Sequence, residues 1–180
     1  MTPAAGDRPP LYRASVPVLD AVLVRVAATL DRAAVQLGPA GIEAALAHCP
    51  AERMPPAARQ AATTAQFTLR IAFPLAGRRP PELRGGFDAA GLSARLAAAR
   101  QRLAELPPDA FAGAETRPVR FQAGFADLEL PGFDFLHAFG LPNLYFHQAM
   151  LHVALKQAGV RLGKADFDGI HVYPEGFSFG

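Results

Sequence analysis

Between Val16 and Leu37 the apolar side chains fall at Val16, Leu19, Leu23, Val26, Leu30, Ala33 and Leu37, always three or four residues apart. A helix gathers positions spaced this way into one stripe along a single face. A long one-sided helix cannot stand alone in water, so the rest of the chain has to cover that stripe. Ser15 stands where an N-cap belongs, with Pro17 in the first turn. Gly38-Pro39 is a stop signal, and a short helix is predicted over 39–47, ending at Cys49-Pro50. Asp20, Arg25 and Asp31 interrupt the first segment, which excludes a membrane span.

A second helix is predicted over 55–73, "PPAARQAATTAQFTLRIAF". Phe67, Leu69, Ile71 and Phe73 alternate as a strand would, but the alanine-rich run before them and the required length decide for helix. Pro74 and Gly77 end it, and "GRRPPELRGG" is a polar loop of turn residues. The third helix carries its stripe at Leu92, Leu96, Ala99, Leu103 and Leu106 and closes at Pro107-Pro108. The period then changes: Val119, Phe121, Phe125, Leu128 and Leu130 flank Ala123-Gly124, which predicts a β-hairpin turning there, with Pro118 on an edge strand. A last helical region over 131–158 is expected to break at Gly140-Leu141-Pro142 and to be capped by Gly159.

These elements add up to an all-α four-helix bundle with a short β-hairpin between helices 3 and 4. The bundle is expected over residues 11–169, after a disordered tail at 1–10 and before an aromatic tail at 170–180. The tail residues Ile170, Val172, Tyr173, Phe177 and Phe179, with Phe167, call for a surface to pack on, in the same bundle or in a neighbouring subunit. With 51% hydrophobic and 19% charged residues, the chain of 180 has the composition of one globular domain.

The same sequence excludes several classes. A formal charge of +2, spread from Arg8 to Lys164, is not the footprint of a nucleic-acid binder. Cys49 stands alone, so no disulfide forms within one chain, and a reducing compartment fits. "MTPAAGDRPPLYRAS" lacks the apolar run of a signal peptide, so a cytoplasmic protein is expected. Many alanines and arginines beside only two lysines point to a GC-rich bacterial genome.

The histidines raise the question of a metal. "PNLYFHQAMLHVALKQAGV" carries His147 and His152, five residues apart, hence about 140° apart around a helix. The residue that shares a face with His147 one turn on is Leu151, and His137 lies about 15 Å upstream along a straight helix. This helix therefore carries no paired metal site. Leu144, His147, Gln148, Leu151, Leu155 and Ala158 form one arc, and Phe146, Ala149, Met150 and Val153 form a second. The second stripe needs a partner of its own, another subunit or the C-terminal tail.

His147 is expected to face the interior, as a core histidine satisfied by Gln60, Thr63 or Thr64. The sharper alternative is a polar handle in a pocket, with His147, Gln148, Gln60 and Thr64 as ligand-binding residues. Cys49 beside His48, with Arg53 near, is the single place where a thiol could be activated, although a small buried cysteine is the commoner case. Glu43, Glu52, Glu105, Glu115 and Glu129 recur at no ligand spacing. Arg78, Arg79 and Arg84 beside Gly85-Gly86 lack the strand and helix of a phosphate loop and are expected to be solvated. Ser15 and Ser93 have no neighbouring base.

Four strings in order, "RMPPAARQAATTAQFTLRIAFPLAG", "AFAGAETRPVRF", "LPNLYFHQAMLHVALKQAGV" and "GKADFDG", resemble an uncharacterised bacterial family of unknown function within the DinB/YfiT-like metalloenzyme superfamily. The resemblance spans about residues 11–169. It implies a DinB-like four-helix bundle, commonly a homodimer. Relatives in the wider superfamily hold a divalent metal such as zinc or nickel through three histidines, one on the second helix and an H-x-x-x-H pair on the fourth. Some of them run thiol-dependent transferase or isomerase reactions. Carried over, His147 matches the first of the pair, Leu151 replaces the second, and the second helix has no histidine. The expectation is a bundle without that metal site, dimeric and with a small apolar ligand near His147. The alternative is a metal-dependent enzyme using His147 with ligands recruited from His48, His137 or His152.

Overall fold

A computed structural model of the chain describes residues 8–174 and residue 177. The expected tail residues 1–7, 175, 176 and 178–180 lie outside the described residues. Helix α1 runs Pro10–Leu46 and is interrupted at Gly38, whose φ of 70° and ψ of 177° leave the helical region. A positive φ suits glycine because no Cβ opposes it. The break thus falls at the predicted stop, and the section beyond Pro39 is the short helix expected there. The start differs. Pro10 opens α1, and Ser15 is a buried interior residue whose hydroxyl donates to the Leu11 carbonyl one turn back. Residues 11–14 lack the capping pattern but continue the apolar stripe through Leu11.

Helix α2 spans Ala57–Leu75 and α3 spans Ala89–Ala104, capped by the Asp88 carboxylate accepting from the Gly91 N–H. Strands β1 (Pro118–Ala123) and β2 (Ala126–Pro131) pair antiparallel, with Val119 opposite Leu130 and Phe121 opposite Leu128. The turn sits one residue later than predicted: Ala123 pairs with Ala126, and Gly124-Phe125 makes the loop. Phe121 packs on Phe135 and Phe139, ring centroids 5.0 and 4.3 Å away, which anchors the hairpin.

After one helical turn at Gly132–Asp134 the chain winds as a π-helix, Phe135–Gly140, and continues without a stop into α4, Leu141–Gln157. The predicted break at Pro142 is therefore a widened turn. Pro142, which has no N–H to give, follows directly on that widened turn, and the Asn143 side chain donates to the Phe139 carbonyl. Past Gly159 (φ 94°) a short helix α5, Lys164–Asp168, folds back onto α1 and α4.

α1, α2, α3 and α4 pack pairwise around one core of Leu19, Leu23, Leu69, Ile71, Leu92, Leu103, Leu144 and Leu155, each almost fully buried. This is the all-α four-helix bundle with its hairpin between α3 and α4. Two arginines hold the connections. Arg95 donates to the carbonyls of Leu83, Gly85 and Gly86, which orders the loop before α3. Arg117 donates to the carbonyls of Leu75, Ala110 and Ala112, tying the end of α2 to the base of the hairpin. No helix among the described residues is long and apolar enough to cross a membrane.

Candidate functional site

Gln60 sits in the first turn of α2, fully buried, and its amide Nε2 donates back to the Pro55 carbonyl at 3.1 Å. The amide oxygen therefore faces across to α4, where Oε1 lies 2.8 Å from His147 Nδ1. An amide oxygen only accepts, so the imidazole donates from Nδ1. That fixes the neutral tautomer and leaves Nε2 as a lone-pair acceptor, without a partner among the described residues. The half-buried ring is flanked by Phe67, with centroids 5.5 Å apart, and meets Phe146 edge-on at 5.3 Å. Burial, and after it the Arg70 guanidinium, holds the His147 pKa below the ordinary 6.5. Chemically, the arrangement is a neutral imidazole that can accept a hydrogen bond or a proton at Nε2.

The other sequence candidates divide around this pair. Thr64 is buried, and its hydroxyl donates to the Gln60 backbone carbonyl at 2.9 Å, so it braces the turn that carries Gln60. Gln148 is one residue past His147 and hence about 100° around the helix. Its amide donates to the Phe167 carbonyl at 2.9 Å, on the side of α5. Gln148 therefore does not join His147.

The remaining imidazoles do not converge on it either, and His171 pairs with the Asp168 carboxylate. His152 meets Phe167 edge-on at 5.9 Å, and burial and Lys156 lower its pKa while Asp166 opposes them. His137 is exposed and donates from Nδ1 to the Phe133 carbonyl at 2.9 Å. His48 Nε2 lies 3.2 Å from Gln157 Oε1. Cys49, expected to be small and buried, is exposed, because it sits in the turn between α1 and α2 rather than on a packed face. Arg78, Arg79 and Arg84 are exposed, as expected of a solvated loop.

A three-histidine divalent metal does not fit these donors. Leu151, where the second imidazole of the pair would stand, is a core residue 1% exposed. On α2 the inward polar residues are Gln60, Thr64 and Thr68; both ends of the Gln60 amide are already bonded, and the two hydroxyls donate to carbonyls of their own helix. Among the described residues no group of three or more His, Cys, Asp or Glu side chains could hold a metal ion.

One residue near His147 escapes sequence reading. Arg70 stacks over Phe67, 4.7 Å from the ring centroid, and donates to the Gln122 carbonyl on β1. The i, i+3 spacing of Phe67 and Arg70 was a usable signal, but nothing local announces that a hairpin 50 residues on returns to the same place.

The family model of a domain of unknown function (DUF1993) matches residues 11–168. A crystal structure of a DinB family member protein from Shewanella denitrificans has the same fold, with a TM-score of 0.80 at 24% identity over 91% of this chain and 94% of that one. No curated protein matches the chain.

Proposed function

This chain belongs to the DUF1993 family, a domain of unknown function with a DinB-like fold, and from that premise we propose that it is a binding protein rather than a metalloenzyme. It works as a cytoplasmic homodimer that holds a small, largely apolar ligand at His147. The observation that carries this reading is the Gln60–His147 hydrogen bond at 2.8 Å. The amide of Gln60 and the Nδ1–H of His147 saturate each other, so the pair offers one acceptor, Nε2, between aromatic walls. A ligand matched to it is apolar with a single hydroxyl or N–H donor, and Gln60 and Thr64 act by positioning rather than by contact. Gln148 acts through α5, at a distance from the ligand.

Elemental analysis of untagged protein, before and after incubation with zinc, nickel and manganese, tests the reading. The expected result is the same trace metal in wild type and in His147→Ala. Near-stoichiometric metal that disappears in His147→Ala would overturn it in favour of a metal-dependent transferase or isomerase.

A further inference from the structure

On the side of α4 opposite His147, Arg32 of α1, the end of α4, the segment leading into α5 and the stretch at Tyr173-Pro174 border an open cleft of about 910 Å3. Arg32, Lys156, Arg161 and Lys164 line it, against the single carboxylate of Asp166. The whole chain has a formal charge of only +2, so this one lining is more positive than the molecule. We infer that the cleft is a binding site for a phosphate-bearing small molecule, independent of any role of His147.

The cations fall into two sets. Arg32 is held by Asp166 at 3.2 Å, and Lys156 Nζ donates to the Leu162 carbonyl at 2.9 Å, so both are fixed in the wall. Arg161 and Lys164 have no side-chain hydrogen bond or ion pair among the described residues. Their backbone, by contrast, is anchored. Gln36 grips the peptide of residue 161 from both sides, accepting from its N–H at 2.8 Å and donating to its carbonyl at 3.1 Å. Asp166 accepts from the Gly163 N–H at 2.7 Å, just before Lys164.

A rigid backbone that presents an unpaired guanidinium and an unpaired ammonium into one cleft is prepaid for a dianion. Arginine supplies a planar fork for phosphate oxygens and lysine a point charge. The volume is that of a small-molecule site. Arg32 and Lys156 beside the unpaired cations raise the local potential further.

The test is isothermal titration of the full chain with pyrophosphate, at low and at physiological salt. Saturable one-to-one binding that survives physiological salt is expected. Arg161→Gln with Lys164→Gln should weaken it at least tenfold. Gln36→Ala should weaken it several-fold with an unchanged circular dichroism spectrum, since it frees the peptide and removes no charge. Three outcomes would each overturn the inference: no saturable heat, unchanged affinity in the double variant, or equal competition by chloride, which would mean diffuse counterion attraction.

Discussion

Gln60 and His147 set the chemistry at the scale of single residues, and their pairing predicts a pH dependence. Burial lowers the pKa of both His147 and His152 in the folded chain. The unfolded chain therefore takes up these protons first as pH falls below about 6.5, and uptake by the unfolded state costs stability. Stability from these groups should be complete above that pH and decline as pH drops toward their depressed native values. His147→Gln keeps an N–H for Gln60 Oε1 and removes one titration. Urea unfolding at pH 7.5, 6.5 and 5.5 should give a flatter decline for it than for wild type, and parallel declines would remove His147 from this account. The inward placing of His147 was legible from its arc, but the sequence left Gln60, Thr63 and Thr64 open as its partner, and the hydrogen bond goes to Gln60. The hydrogen bond of Gln148 to the carbonyl of Phe167 was not legible, because that carbonyl belongs to a five-residue helix too short to leave a periodic pattern.

Among the elements, the four helices were readable wherever an apolar stripe repeated every three or four residues, and boundaries failed where backbone geometry decided. Ser15 looked like a cap, but α1 already had a better start at Pro10. The π-helix could not be read at all, since Phe135 and Phe139 are held by Phe121 arriving from the hairpin. Gly132 is the strictest junction. A Cβ added there would lie 2.0 Å from the Ala114 carbonyl oxygen, a backbone atom that cannot turn aside. Its N–H also donates to the Arg117 carbonyl at 2.9 Å. Gly132→Ala should cost about 3 kcal/mol or more, at the upper end of overpacking penalties. The check is chemical denaturation beside Gly163→Ala, a control whose φ of −116° suits any residue and whose added Cβ meets nothing closer than 3.9 Å; equal losses would mean the hairpin junction yields freely.

Across the whole molecule, the second stripe of α4 remains uncovered among the described residues: Phe146 and Val153 are exposed and Met150 is half-buried. A homodimer through this face predicts a mass about twice 19.1 kDa by light scattering at micromolar concentration. Met150→Glu with Val153→Glu should bring it to the monomer with an unchanged circular dichroism spectrum. A wild-type monomer even at the highest concentration measured would sink the dimer. The sequence marked this stripe without saying what covers it, because a helix face records its need for a partner and not the partner's identity. The grip of Gln36 on Arg161, with Thr29 and Arg32 reaching Asp166, has a consequence for synthesis. Residues 125 positions apart meet there, so during translation α1 waits for its cover until nearly all of the domain has emerged. A nascent chain stalled before Arg161 would carry that side of α1 open, and chains of this length are the ones chaperones should hold longest.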